Sequence, residues 1–96
     1  MKVLSVFGSA PQVLNRLHLF LKENKFGHIE TNRFTNEITA ERKFFFMWKD
    51  YIHLKVKSEL PAISTIELTL NPFHDHKTDG DENKEAMLQN KIYLYF

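Results

Sequence analysis

The sequence predicts a two-layer α+β domain: a strand and a helix, then four antiparallel strands in a meander, closed by a C-terminal helix or strand. Three observations carry this expectation. Apolar residues recur at helical spacing between Val13 and Leu21, and four runs of strand-like alternation follow between His28 and Leu70. The third is composition: 96 residues, enough for one core and a single domain over 1–96, hold nine Phe, three Tyr and one Trp to fill it.

Lys2–Phe7 reads as the first strand, rich in Val, Leu and Phe and closed by Gly8. Ser9 and Gln12 then stand at the spacing of a capping box, with Pro11 in the first turn, where a missing N–H costs nothing. A helix is therefore expected to start here. Val13, Leu14, Leu17, Phe20 and Leu21 form its apolar stripe, and Asn24, Lys25 and Gly27 provide the stop.

Phe26–Phe34 and Glu37–Met47 read as strands joined at Thr35-Asn36, because Asn tolerates the left-handed conformation of tight turns. Two registers are open: a two-residue loop sets Phe34 opposite Glu37, and a three-residue loop pairs Phe34 with Ile38 and Glu30 with Arg42. Ile52, Leu54 and Val56 then alternate with His53, Lys55 and Lys57. Beyond Leu60-Pro61, Ile66, Leu68 and Leu70 alternate with Thr65, Glu67 and Thr69. Even positions are expected to face the helix and odd positions the solvent.

With turns centred on Lys49 and Leu60, the outer face falls into rows. Met47 lies beside Tyr51 and Thr69, Phe45 beside His53 and Glu67, Lys43 beside Lys55 and Thr65, and Glu41 beside Lys57 and Ile63. Phe45, Met47, Tyr51 and Ile63 would then form an apolar band, which marks an interaction surface unless the C-terminal segment folds over it. The candidate interaction face is Phe45, Met47, Tyr51, His53, Lys55, Ile63 and Glu67.

Asn71 to Asn83 reads as a polar loop, with Asn71-Pro72 as breaker and Asp79-Gly80-Asp81 as turn. Asp81 could cap a last helix from near Glu82 carrying Ala86, Leu88, Ile92 and Tyr95; residues 91–96 fit a strand as well, and helix is the favoured reading.

Composition excludes several chemistries. The chain has no cysteine, so disulfides, thiolate metal sites and cysteine nucleophiles are absent, in keeping with a reducing cytoplasm. Net charge is +1; residues 1–74 hold ten Lys/Arg against seven Asp/Glu, and 75–96 hold three against five. Such a balance argues against nucleic acid, and Lys43, Lys55 and Lys57 are interrupted by Glu41 and Glu67. The opening run Met1–Gly8 is too short for a signal core or a membrane span.

His74-Asp75-His76 with Asp79, Asp81 and Glu82 is the one cluster of metal-capable side chains in the sequence, but Lys77 and Ala86 stand where a calcium loop needs ligands. His74 and His76 are thus weak metal candidates, and neither a resident metal nor a cofactor is expected. His53 beside Glu67 could be a base with its orienting carboxylate. No nucleophile or anion cradle accompanies it, and Asp50 and Glu59 read as turn carboxylates. The expectation is a domain that is not an enzyme.

The run Ser5-Val6-Phe7-Gly8 through Pro11-Gln12-Val13-Leu14-Asn15-Arg16-Leu17, with Phe26-Gly27-His28-Ile29-Glu30, resembles the opening of ACT-type regulatory domains. That resemblance implies an amino-acid site with Ser9–Gln12 near the ligand. It departs after the third strand, where that fold has a second helix and Ala62–Leu70 reads as another strand. Over Lys2–Leu70, with Glu37-Ile38-Thr39-Ala40-Glu41-Arg42 after a turn, the chain is similar to small bacterial domains of unknown function in which a strand and helix precede a meandering sheet. This second resemblance implies an interaction domain without catalysis. The expected function is binding through the outer sheet face to a protein partner or a second copy, with an ACT-type small-molecule site as the alternative.

Overall fold

The computed structural model describes residues 2–44, 48–71 and 79–96. The elements run β1 (Lys2–Phe7), α1 (Ala10–Glu23), β2 (Gly27–Asn32), β3 (Glu37–Phe44), β4 (Trp48–Leu60), β5 (Ile63–Leu70) and α2 (Asp79–Tyr95). The strands form one antiparallel sheet in the order β1-β5-β4-β3-β2. The expected α+β architecture is present, and the C-terminal element is a helix.

Alternation decides which face is buried. Ile38, Ala40, Ile52, Leu54, Val56, Ile66, Leu68 and Leu70 are all buried, and Leu4 and Val6 of β1 join them. Against this face α1 lays Val13, Leu14, Leu17, Phe20 and Leu21, and α2 lays Leu88 and Ile92. Helix α1 packs on β2, β3 and β4, whereas α2 packs on β1 and β5 and touches α1. Both helices therefore share one side of the sheet.

Local chemistry sets the helix ends. The Gln12 side chain accepts the Ser9 N–H at 3.1 Å in the expected capping box, and Pro11 lies in the first turn. At the other end Phe26 N–H donates to Leu21 O at 2.9 Å and Lys25 N–H to Lys22 O at 3.1 Å. This is a Schellman cap. Its left-handed residue is Lys25, with φ of 64°, and not the glycine two positions on.

The β2–β3 connection takes neither expected register. Asn32 pairs with Glu37 across a four-residue loop. Asn32 Oδ1 accepts the N–H groups of Phe34 and Thr35, and Asn36 supplies the left-handed residue with φ of 56°. Side-chain closure by Asn32 makes the longer loop possible. A bulge between Gly27 and Glu30, with His28 at φ of 49°, then interrupts the strand.

The β3–β4 register also differs from the expected one. Lys43 pairs with Lys49, Glu41 with Tyr51, Thr39 with His53 and Glu37 with Lys55, so Lys49 lies within the ladder and is not the centre of a turn. The β4–β5 hairpin is displaced as well: His53 opposes Thr69, Lys55 opposes Glu67 and Lys57 opposes Thr65, with a bulge between Ser58 and Leu60. Both displacements keep parity. Each residue therefore stays on its expected face while its neighbours change.

Candidate functional site

The outer face is built from the odd positions of β1, β3, β4 and β5, and its centre is a ladder of charges. One row runs Glu37, Lys55, Glu67, Val3; the next toward β4's start runs Thr39, His53, Thr69. His53 Nε2 lies 2.9 Å from Glu37 Oε2, and Lys55 Nζ lies 3.9 Å from Glu37 Oε1. Lys57 Nζ reaches Glu67 Oε1 at 2.7 Å. The carboxylate that holds His53 is thus Glu37 and not the expected Glu67, because the two-residue displacement of β4 on β5 moves Glu67 beside Lys55.

These contacts fix the charge states. The hydrogen bond with His53 holds the Glu37 carboxyl below its ordinary range, and the Lys57 bond does the same for Glu67. Glu67 in turn raises Lys57 above its ordinary value. The ladder is a run of alternating charges across β3, β4 and β5.

Of the remaining predicted residues, Tyr51 and Ile63 stand far apart on the sheet. Tyr51 is half-buried at one end of β4, opposite Glu41, whereas Ile63 lies at the far end against Phe7 and close to Leu60. About nine residues of strand, roughly 30 Å, separate them. Phe45 and Met47 lie outside the described residues, as do His74 and His76. The C-terminal helix packs on the opposite side of the sheet, so it leaves the outer face open. At the β2–β3 hairpin that face dips into a hollow of about 700 Å³ lined by Glu30, Asn32, Phe34, Glu37 and Thr39 among others.

A second polar constellation escaped the sequence reading. Asn71, buried and at φ of 50°, donates from Nδ2 to Asp81 Oδ1 at 3.0 Å and to Asp50 Oδ1 at 3.3 Å. Its Oδ1 accepts the Tyr51 N–H at 2.9 Å. Lys84 Nζ approaches Asp50 Oδ2 to 3.1 Å, and Glu85 Oε2 accepts the Leu70 N–H at 3.2 Å.

Asp50 is therefore a buried strand residue near the start of β4 and not a turn carboxylate, and Asp81 sits within α2 and not at its cap. The lysine and the Asn amide make burial of these carboxylates tolerable. A signal was present: Asp50 continues the even, inward series of Ile52, Leu54 and Val56, and Asp81 and Glu85 continue the helical stripe of Leu88 and Ile92. Polar residues on apolar stripes predict an internal network.

Two clefts flank β1. One of about 420 Å³ lies among Phe7, Gly8, Gln12, Asn15, Arg16 and Phe96; another, of about 210 Å³, lies among Ser5, Val6, Phe7, Tyr93 and Phe96. Among the described residues no group of three or more His, Asp or Glu is placed to hold a metal ion, and no helix is long and apolar enough to cross a membrane. No protein-family model matches the chain, and no curated protein is similar to it in sequence.

Proposed function

We propose that the chain is a non-catalytic binding domain that engages a protein partner through the outer sheet face, acting in the cytoplasm and without nucleic acid or a resident cofactor. The observation that supports this reading is the placement of both helices on one side of the sheet, which leaves His53, Lys55 and Glu67 on an open face beside a hollow. A partner with complementary charges would pair with the ladder at modest cost, since these side chains are only half-desolvated in the free domain. Lys55→Glu reverses the centre of the ladder, and Lys22→Glu on the exposed side of α1 serves as control. Partner capture from a lysate of the source cells, read by mass spectrometry, is expected to lose its specific protein with Lys55→Glu and keep it with Lys22→Glu. Equal capture by both variants would overturn the reading.

A second reading is favoured by the cleft at Gly8–Gln12, where Arg16 and Gln12 could hold a carboxylate and an amine. An ACT-type amino-acid ligand would sit there. In a thermal-shift screen with amino acids, a ligand at 100 times its dissociation constant adds about 2.7 kcal/mol. Arg16→Ala is expected to abolish that gain.

A further inference from the structure

The two edges of the sheet are not equivalent. Strand β2 is broken by the bulge at Gly27/Glu30, carries His28 at positive φ and presents Glu30, three devices that discourage a neighbouring strand from pairing. Strand β1 has no bulge and no residue at positive φ, and its one charge, Lys2, stands at its first position. Its six residues pair with β5 without interruption, and Val3–Phe7 carries no charge.

The direction of its backbone groups follows from two hydrogen bonds. Gly8 N–H donates inward to Ala62 O at 2.8 Å, and Val3 O accepts from the Gln89 side chain at 3.0 Å, on the side away from β5. In an antiparallel ladder these directions alternate, so the N–H and C=O of Val3, Ser5 and Phe7 face outward from the sheet edge. Gln89 already supplies at Val3 the donor that an added strand would bring.

We propose that β1 pairs antiparallel with β1 of a second copy about a two-fold axis through Ser5, joining two five-stranded sheets into one. This proposal rests on the reading of the chain as a binding domain but puts self-association at the sheet edge, leaving the outer face to a partner. The register follows from the side chains. Centring on Ser5 matches all three outward-facing residues, with Ser5 against Ser5 and each Val3 against the Phe7 of the other copy. Val3 and Phe7 are 50% and 85% exposed in the single chain, and pairing them covers both.

Shifting the register by two residues leaves one of these groups unmatched, and Phe7 loses its cover. On the inner face, Leu4 of the second copy would enter the hollow of about 210 Å³ beside Val6 and Tyr93. About six backbone hydrogen bonds form when the Gln89 amide yields Val3 O to the incoming Phe7 N–H. The surface is self-complementary, as a two-fold contact requires.

Sedimentation equilibrium of the full chain from micromolar to millimolar concentration is expected to show twice the monomer mass at the upper end. Val3→Lys, at an exposed site with room for the longer side chain, is expected to raise the dissociation constant at least tenfold while the circular dichroism spectrum stays that of the parent. The chain has no cysteine, so Ser5→Cys gives a register-specific readout. Under mild oxidation it is expected to form a covalent dimer, and Lys57→Cys on the outer face is not.

A chain monomeric at every concentration, or a dimer unaffected by Val3→Lys, would overturn the edge pairing. A dimer dispersed by Lys55→Glu but not by Val3→Lys would also overturn it, while leaving the reading of the outer face in place. Loss of partner capture by Lys55→Glu with an intact dimer separates the two surfaces in the opposite sense.

Discussion

Asn71 is the residue whose replacement tests the internal polar network most sharply. Its side chain makes three hydrogen bonds, one from the Tyr51 N–H and two to the buried carboxylates of Asp50 and Asp81, and its backbone is held at φ of 50°. Asn71→Gly keeps a residue at ease in that conformation and removes only the bonds. At ~1 kcal/mol for the neutral bond and ~1.5 kcal/mol or less for each long bond to a carboxylate, the loss is about 3 kcal/mol. For a domain of this size that lowers Tm by about 12 °C or more.

Asn71→Ala removes the same bonds and adds the cost of a left-handed alanine, about 1 kcal/mol more. The pair of variants thus separates hydrogen bonding from backbone strain. Urea unfolding followed by circular dichroism at several temperatures measures both differences. A glycine variant within 0.5 kcal/mol of the parent would refute the role of the network, and an alanine variant no worse than the glycine one would refute the strain.

Other perturbations follow from the same geometry. Lys25→Gly, at the left-handed position of the Schellman cap, is expected to stabilise the domain by about 0.5–1 kcal/mol in urea unfolding, because glycine avoids the steric cost. The Glu37 carboxyl, followed by carbon NMR, should titrate below its ordinary 4.5 and move back toward it in His53→Ala. Since the folded state lowers this pKa, the contribution of the pair is present above pH 4.5 and fades as the pH falls through the folded midpoint. Leu54→Ala, fully buried on β4, should cost about 2–5 kcal/mol, whereas Leu94→Ala, exposed on α2, should stay within about 0.5 kcal/mol of the parent.

The layers of this fold were legible because they depend on period alone. Alternation in β4 and β5 and the Val13–Leu21 stripe determine faces whatever the strand register. Register was less legible because it depends on turns whose closing contacts are distant or unexpected. Lys49 and Asp50 look like turn residues until Asn71 and Lys84, more than 20 positions away, are seen to receive the Asp50 carboxylate. Asn32 likewise closes its loop through a side chain that composition cannot rank above the Asn36 backbone. For the outer face, identity was readable and adjacency was not: His53 and Glu67 are both there, but a two-residue displacement gives His53 to Glu37.

The place of β1 has a consequence for the order in which the chain can fold. Strands β2 to β5 pair with sequence neighbours, but β1 must find β5, as in the 2.8 Å bond from Ser64 Oγ to Gly8 O across 56 positions. At a synthesis rate of ~5–20 residues per second, β1 is made roughly 3–11 s before the strand that receives it. Until β1 docks, β5 presents its own open edge, and a β1 from a neighbouring nascent chain fits that slot as well as its own. Strand exchange during translation is therefore the characteristic misassembly of this topology, and it would involve the same six residues as the proposed dimer.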